Sequence, residues 1–431
     1  MRGRALAPNL RHPFARVIAL MCLLFLCVSP AHAAAADLFS ADTLSAIADV
    51  RIVAANGEKS WTDGGYGKGR FGGDHSENWR LRPVAAEADL IWQPRFTWSL
   101  SGTVTVAAQD KQDHPVDLIE AYFKFKPIPK GSTQISAKAG LYWPSISLEH
   151  HGAGWQVDDM ITPSAINSWI GEEVKVIGAE ATIARDVGSS RISGTVGVFG
   201  FNDTAGTMLA FRGWALHDYK ATAFGKQSLP PLNELLEYGQ AEKTRPLIEV
   251  DNKPGYYGKL EWRMAAPVTL SIFHYYNRGV PEAVTTRLQW GWKTRFWNAG
   301  VRVDPSAKTK ILAQALVGRT EMGFREPNRY WVDTKFRSAY LRVSHQIKTL
   351  TVSARGDWFE TRERGAFLDR AESEKGWAGT AAASLHISSN INIIGEIIHI
   401  LSERGGVRQE ELGLPRNQHQ TIVQAALRLT L

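Results

Sequence analysis

Apolar and polar residues alternate with a period of two through most of the chain. In the stretch 96–107 the two alternating sets are Trp98, Leu100, Gly102, Val104 and Val106, and Ser99, Ser101, Thr103 and Thr105. A period of two places such sets on opposite faces of a β-strand. Sixteen segments of this kind predict sixteen strands, roughly 46–56, 81–92, 96–107, 115–126, 133–142, 172–185, 190–201, 254–264, 267–278, 286–303, 308–320, 331–345, 349–361, 376–387, 391–403 and 418–431.

The connections between these segments are alternately short and long. The short ones carry turn residues and lie at 93–95, 127–132, 186–189, 265–267, 304–307, 347–348 and 388–390. The long ones are polar, charged or glycine-rich and lie at 57–80, 108–114, 143–171, 202–253, 279–285, 321–330, 362–375 and 404–417. Short turns on one side and long loops on the other are typical of outer-membrane barrels. The pattern therefore predicts an all-β, transmembrane antiparallel β-barrel of about 16 strands, with both termini in the periplasm.

One further segment, GTMLAFRGWALHD (206–218), also looks strand-like. A single extra strand would make the number odd, whereas bacterial single-chain barrels have even numbers. We therefore expect 206–218 to lie within a large external loop, 202–253, as a hairpin or a β-extension above the rim. Eighteen strands remain possible if 219–224 pairs back.

The chain ends on TIVQAALRLTL, in which Val423, Ala425, Leu427, Leu429 and Leu431 form an apolar face. In a closed barrel the last strand pairs with the first, because an unpaired edge in lipid is costly. The tail also resembles the C-terminal targeting signal of outer-membrane proteins, with Gln424, Ala426, Leu429 and Leu431 at the matching positions. Those signals usually end in Phe, so the final leucine is a departure.

The N-terminal residues 1–33 read as a secretory signal peptide, with a basic start, an apolar stretch at 17–30 and the cleavage motif Ala31-His32-Ala33. The barrel is then expected to occupy 34–431, in the outer membrane of a Gram-negative cell. Both cysteines lie in the leader, which excludes disulfides and cysteine metal sites from the remainder. Without the leader's four arginines, 46 basic and 43 acidic residues leave a charge of +3. We therefore expect no nucleic-acid partner, and no feature of the sequence calls for a cofactor.

Charged and polar residues at alternate strand positions are candidates for the lumen. The pore-lining candidates are Glu120, Tyr122, Lys124, Lys138, Lys259, Glu261, Arg263, Lys293, Arg295, Arg342, Arg355 and Asp357, and Glu87, Asp89, Glu180 and Glu396 belong to the same class. Selectivity in pores comes from charged rings at a constriction. Because both signs are mixed here, the pattern favours a general or weakly selective pore. Each single charge also has a simpler interpretation, as a structural ion pair on the barrel wall.

The third external loop, 143–171, is long enough to fold inward and narrow the pore. Its constriction candidates are Glu149, His150, His151, Trp155, Asp158 and Asp159. Adjacent histidines on an extended backbone point apart. We therefore expect no metal site here.

One stretch carries a family resemblance. AGLYWPSISLEHHG (139–152) resembles the G-x-x-x-P-x-S-x-E segment of the phosphate-selective porin O and P family, with Gly140, Pro144, Ser147 (displaced by one position) and Glu149 matching. SAINSWIGEE (164–173), before the strand-like VKVIGAEATI, is similar to the same region. The rest matches only in strand number and architecture. The resemblance implies a sixteen-stranded, trimeric porin with an inward-folded third loop, and it does not extend to phosphate specificity.

These observations together predict a porin that passes small hydrophilic solutes or ions, with outer-membrane lipids and a possible homotrimer as partners. We do not expect an enzyme, because no Gly-x-Ser-x-Gly elbow accompanies the wall histidines His274 and His399. One alternative is a non-conducting outer-membrane barrel, such as an adhesin or scaffold. A more distant one is a secreted all-β carbohydrate-binding protein.

Overall fold

The computed structural model describes residues 38–232, 234–367 and 372–431. Within these ranges the chain forms a closed antiparallel barrel of sixteen strands, which confirms the predicted fold class. The strands are β1 Leu44–Gly57, β2 Ser76–Trp92, β3 Leu100–Gln109, β4 Asp117–Phe125, β5 Thr133–Tyr142, β6 Val176–Val187, β7 Ser190–Gly200, β8 Gly255–Arg263, β9 Val268–Tyr276, β10 Arg295–Ser306, β11 Thr309–Arg325, β12 Tyr330–Ile347, β13 Leu350–Glu363, β14 Glu374–His386, β15 Ile391–Arg404 and β16 Asn417–Thr430. The predicted leader, 1–33, lies outside the described residues.

The last strand closes the barrel against the first. β16 pairs antiparallel with β1, with Leu429 opposite Ala48 and Leu427 opposite Val50. The backbone groups of the C-terminal segment are therefore satisfied within the sheet, as a lipid environment requires. This pairing accounts for a chain that stops on a regular strand.

Strand residues alternate between an exposed outer face and a buried inner face. In β16, Val423 and Leu427 are exposed, whereas Gln424 and Arg428 are buried. This is the reverse of a soluble sheet, because the outer face meets lipid and the inner face meets polar groups of the interior. None of the helices among the described residues is long and apolar enough to cross a bilayer.

Among the residues that the structure describes, four short helices lie in the long connections: α1 Ala165–Glu173, α2 Thr207–Phe211, α3 Glu234–Glu237 and α4 Val407–Glu411. A 3₁₀ turn covers Trp61–Asp63, and two-residue ladders join His150–His151 to Gln156–Val157 and Gln227–Ser228 to Lys243–Thr244. α1 begins where it does because the Ser164 hydroxyl accepts a hydrogen bond from the Asn167 N–H at 3.3 Å. Because α1 extends to Glu173, the strand predicted from 172 starts only at Val176.

The connections differ from the sequence-based expectations at three points. The segment 206–218 is no strand extension above the rim, because it forms α2 and is buried, with Met208 and Phe211 packed beside Trp292. No strand forms at 219–224, so the barrel has sixteen strands rather than eighteen. The tenth strand was predicted from 286 but begins at Arg295. The preceding residues instead continue a connection in which Trp290 and Trp292 are buried.

Candidate functional site

The third external loop folds into the barrel and contacts its inner wall on many sides. The backbone N–H of Gly154 donates to Glu120 on β4, Gln156 donates to Asp89 on β2, and the Ile161 N–H donates to Glu396 on β15. Wall residues spread this widely can meet one loop only inside the lumen. All residues of α1 are buried. We call this segment, residues 143–175, the lower layer of the plug.

A second segment, residues 201–223, lies over the lower layer and forms the upper layer of the plug. Its Asn202 side chain donates to the Glu173 carbonyl at 2.6 Å, and the His217 N–H donates to the Ser168 hydroxyl at 3.0 Å. It reaches the wall at two points: the Trp214 N–H donates to Glu374 on β14, and the Lys220 ammonium donates to Asp89 on β2. The sequence placed this segment outside the barrel, so the interior holds one more layer than predicted.

Glu149 and Arg355 fix the lower layer to the wall. Glu149 is 2% exposed, and its carboxylate accepts hydrogen bonds from the Ser164 hydroxyl at 2.6 Å and the Asn167 amide at 2.6 Å. The guanidinium of Arg355 on β13 lies 3.6 Å from the same carboxylate and donates to the Thr162 carbonyl at 2.7 Å. Burial opposes ionisation of Glu149, but Arg355 and Arg342 lower its pKa. The group is therefore a buried anion in a cationic setting.

The two layers are joined by a buried charge cluster. Glu172, on α1, forms a bidentate pair with Arg212, and its carboxylate lies 3.0 Å from His217. Burial works against the carboxylate, yet Arg212 and His217 lower the pKa of Glu172 to about 2. The neighbouring Glu173 accepts from the Trp169 indole at 2.7 Å and the Met208 N–H at 3.0 Å. Burial, reinforced by Glu172, raises the pKa of Glu173 to about 8.

A line of ion pairs runs between the plug and strands β1 and β2. Asp218 accepts from Arg51 at 2.6 Å and from Arg70 at 3.0 Å. The Lys220 ammonium lies 2.5 Å from Glu87 and 2.8 Å from Asp89. We call this set the charged seam; its members are Arg51, Arg70, Glu87, Asp89, Asp218 and Lys220. It continues downward through Asp49, which pairs with Arg51 and with Arg428 of β16, at 3.0 Å in each case.

The opposite side of the interior is sealed by aromatic rings. Trp169 on α1 packs edge-on against Phe296 of β10 at 5.2 Å and lies 5.2 Å from Phe336 of β12. Phe296 in turn stacks on Tyr275 at 4.9 Å, and Tyr275 on Phe199 at 5.0 Å. We call this row the aromatic seam. Packed aromatic rings offer no polar path to an ion. The two sides of the plug therefore differ: one is lined by ion pairs and the other by aromatic side chains.

Below the lower layer, the barrel opens into a periplasmic vestibule. Its cavity has a volume of about 850 Å³. Predicted loop residues His151, Asp158 and Asp159 line it, together with Arg428 of the wall. The Asp159 carboxylate lies 3.5 Å from Arg342, a predicted lumen residue of β12. The vestibule therefore brings loop and wall candidates together.

His150 and Trp155 face into the plug rather than into the vestibule. Their rings stack at 4.1 Å, and the His150 Nδ1 lies 2.7 Å from the Ser147 hydroxyl. Burial lowers the pKa of His150 to about 3. It is therefore neutral at physiological pH and acts as a packing residue of the loop.

Most of the pore-lining candidates lie on the inner face of their strands. Glu120, Arg355 and Asp357 contact the lower layer, and the Asp357 carboxylate accepts from the Ala165 N–H at 3.0 Å. Arg342 on β12 faces Asp159, and the candidates on β4 to β8 lie below the aromatic seam, where Lys138 pairs with Glu180 at 3.1 Å and Lys259 with Glu261 at 2.8 Å. Tyr122, Lys124 and Arg263 share this inner face, since they alternate with the outward Phe123 and Trp262.

Two candidates are wrong. Arg295 lies on the outer face of β10, because it alternates with the buried Phe296 and shares its parity with Trp297, which is 52% exposed. Lys293 precedes it on the same parity, and its ammonium lies 4.0 Å from Glu321, which shares the outward parity of Val317 in β11 although it is itself buried. Both stand near the extracellular ends of their strands. An outward charge is tolerated there, beyond the hydrocarbon region.

Sequence reasoning missed the charged seam. Arg51 could have been found, because it shares the inward parity of Val53 and Ala55 in β1. Arg70, Asp218 and Lys220 lie in long loops without periodicity, so the sequence carried no signal that would place them against Glu87 and Asp89.

No protein-family model matches the chain, and no curated protein sequence does. Among solved structures, the chain is similar to the outer membrane channel DcaP of Acinetobacter baumannii, with a TM-score of 0.51 at 9% identity over 91% of this chain and 99% of that one. An anion-selective porin from Comamonas acidovorans gives a TM-score of 0.49 at 10% identity, over 90% and 99% of the two chains. A loop L8 deletion mutant of OmpT, an outer membrane protein of Vibrio cholerae, gives 0.48 at 6% identity, over 90% and 99%.

Identities this low show the fold alone. Together with the sixteen closed strands and the apolar outer face, the likeness to DcaP defines the class: a porin-like β-barrel of the Gram-negative outer membrane. The narrower resemblance to the phosphate-selective porins has no support from a family model.

Proposed function

We propose that the protein is a porin that passes small hydrophilic solutes or ions by passive diffusion, along the charged seam, between the cell surface and the periplasmic vestibule. The observation that carries the proposal is the composition of this seam. Six ionisable groups, five on the plug and the wall and Arg70 on the first external loop, line this contact, where a purely structural core would use apolar side chains.

The energetics favour this interpretation. Buried ion pairs are commonly no more stabilising than well-packed apolar residues of the same volume. A charged contact can instead exchange its protein partners for water and ions when the plug shifts. The aromatic seam lacks that option, so we expect the plug to move against β1 and β2 while it stays attached near β10 and β12.

A non-conducting scaffold is the second candidate, and the filled lumen favours it. All of α1 is buried, and the plug contacts β2, β4, β13, β14 and β15. The two functions differ in one measurable property, which is the conductance of the purified barrel.

The test is planar-bilayer conductance, with reversal potentials in asymmetric KCl. We expect ion currents from the wild-type barrel. In the Glu87→Gln/Asp89→Asn variant we expect a reversal potential shifted toward anion preference, because two carboxylates leave the seam. Glu261→Gln, on the opposite inner wall, is the matched control for a carboxylate outside the seam. Absence of current from a folded, heat-modifiable barrel would favour the scaffold.

The homotrimer is also part of the proposal. One outward face, on β14 and β15, carries Gly379 and Gly395, and a Cβ at either would meet no other atom within 4 Å. Small residues let neighbouring membrane segments approach closely. Size-exclusion chromatography with light scattering should give the mass of three chains, and a single-chain mass would contradict this part.

A further inference from the structure

The outer wall carries a row of cations near the extracellular strand ends. Arg295 lies opposite Arg319, Arg319 opposite Lys335, and Lys335 opposite Arg362, on the four adjacent strands β10 to β13. All four alternate with buried inward residues, so they point away from the lumen. Like charges directly opposite each other across strands are destabilising. The row therefore needs anions to offset its repulsion.

The protein's own acidic residues offset only part of the repulsion within this row. Arg319 pairs with Asp333 at 2.6 Å, and Arg362 pairs with Glu360. Arg295 and Lys335 have no acidic group within 4.0 Å among the described residues, as the ion pairs of this wall show.

Lys335 and five further cations line an open cavity at the ends of β12 to β16. Its volume is about 560 Å³, and its cations are Arg329, Lys335, Arg362, Arg364, Lys375 and Arg416. Four acids also line it, but they already have partners. Glu360 pairs with Arg337 and Arg362, and Glu403 pairs with Lys375 at 2.8 Å.

The remaining two acids, Glu363 and Glu374, point inward and are 5% and 1% exposed. Glu363 accepts from the Thr334 hydroxyl, and Glu374 pairs with Lys68. Within the described ranges, no acid therefore forms an ion pair with Arg329, Lys335, Arg364 or Arg416. The cavity is a preformed, positively charged site.

Its position identifies the kind of anion. Directly below the cavity, the outward rings of Trp358 and Trp377 lie 6.2 Å apart, and the Arg337 guanidinium lies 5.1 Å from the Trp358 ring centre. Tryptophan at this position is typical of the membrane interface. Below it follow Leu341, 54% exposed, and Gly356, which belong to the lipid-facing surface. The cavity therefore stands at headgroup height and faces the membrane, away from the plug.

We propose that this cavity binds the phosphorylated headgroup of an outer-leaflet lipid. Arg362 and Arg364 would contact the phosphates through the paired hydrogen bonds of their guanidinium groups, and Lys335 through its ammonium charge. The acyl chains would follow the wall on β12 and β13, past Trp358 and Leu341. The site is separate from the solute path, so the lipid-binding proposal does not depend on the proposed porin function.

The test uses the full barrel, delipidated in neutral detergent and titrated with diphosphorylated lipid A. Native mass spectrometry counts the bound lipid. The variant is Lys335→Gln/Arg364→Gln, which breaks no ion pair of the described residues. The control is Lys126→Gln/Lys130→Gln, which removes the same charge from the exposed periplasmic turn 126–132. Heat-modifiability checks that all three barrels fold.

We expect wild type and control to bind alike, and the cavity variant, which lacks two basic residues, to bind about thirtyfold more weakly, since each basic residue near an anionic headgroup contributes about 1 kcal/mol. Dephosphorylated lipid A should bind as weakly to wild type. Equal affinity of variant and wild type would overturn the site. Full competition by inorganic phosphate at the same concentration would overturn a lipid ligand in favour of free phosphate.

Discussion

At the scale of single residues, buried charges hold the interior together, and their strand parity was readable in advance. Glu120, Arg355 and Asp357 were predicted to face inward and do so. Arg295 failed because its charge was taken as a sign of the lumen, although β10 and β11 extend past the apolar band. A charged residue indicates the inward face of a strand only where that strand crosses the hydrocarbon region, because only there must the outward face be apolar.

The buried pair of Glu172 and Arg212 should be essential to the plug. In Glu172→Gln, Arg212 keeps its charge without a partner, and breaking a buried pair costs about 3–5 kcal/mol. We expect faster hydrogen exchange in α1 and α2, while the strands stay protected. Glu242→Gln, at an exposed loop position, serves as the control. Unchanged exchange in α1 and α2 would refute the role of the pair.

The same residue predicts an acid dependence of the plug. The pKa of Glu172 is lowered from 4.5 to about 2. A depressed pKa contributes stability that is complete above the ordinary value and is lost as the pH falls through the lowered one. Hydrogen exchange of α1 should therefore rise between about pH 4.5 and pH 2. In Glu172→Gln this step should be absent; a step of the same size in the variant would assign it to another group.

At the scale of elements, the strands were predictable and the plug was not. Alternation over β16 located both its pairing partner and its outer face, because lipid imposes a strict period of two. The segments 165–173 and 207–211 lack such a constraint, since both surroundings of a plug helix are protein. The Ser164 hydroxyl caps the start of the first helix, and the Glu173 carboxylate accepts a hydrogen bond from the Met208 N–H of the second. Glu173 and Met208 come together only in the folded chain.

The last strand should be required for assembly. Leu429 and Leu431 lie on its outer parity, and Leu429 pairs with Ala48 of β1. Leu429→Asp/Leu431→Asp puts charge beside lipid and disrupts the tail that resembles a targeting signal, so we expect little heat-modifiable barrel in membrane fractions. Thr430→Asp, on the inner parity, should assemble nearly normally. Normal yield of the double variant would contradict the role assigned to the tail.

At the scale of the whole molecule, the protein is a barrel whose interior is divided by a plug of two layers. A sixteen-strand barrel leaves an aqueous lumen too wide for its wall side chains to fill. Here loops 143–175 and 201–223 fill it, with ion pairs on one side and aromatic rings on the other. The sequence predicted an inward loop but neither the second layer nor this asymmetry, because both depend on contacts between distant loops.

The central claim is that the plug controls passage through the barrel. It is tested most directly by single-channel conductance of a variant in which a short Gly-Ser linker joins Ser147 to Ser164. This deletion removes Glu149, Gln156 and the vestibule residues of the lower layer. Our account predicts a conductance well above that of wild type and a weaker ion preference. An unchanged conductance in a folded, heat-modifiable variant would contradict it.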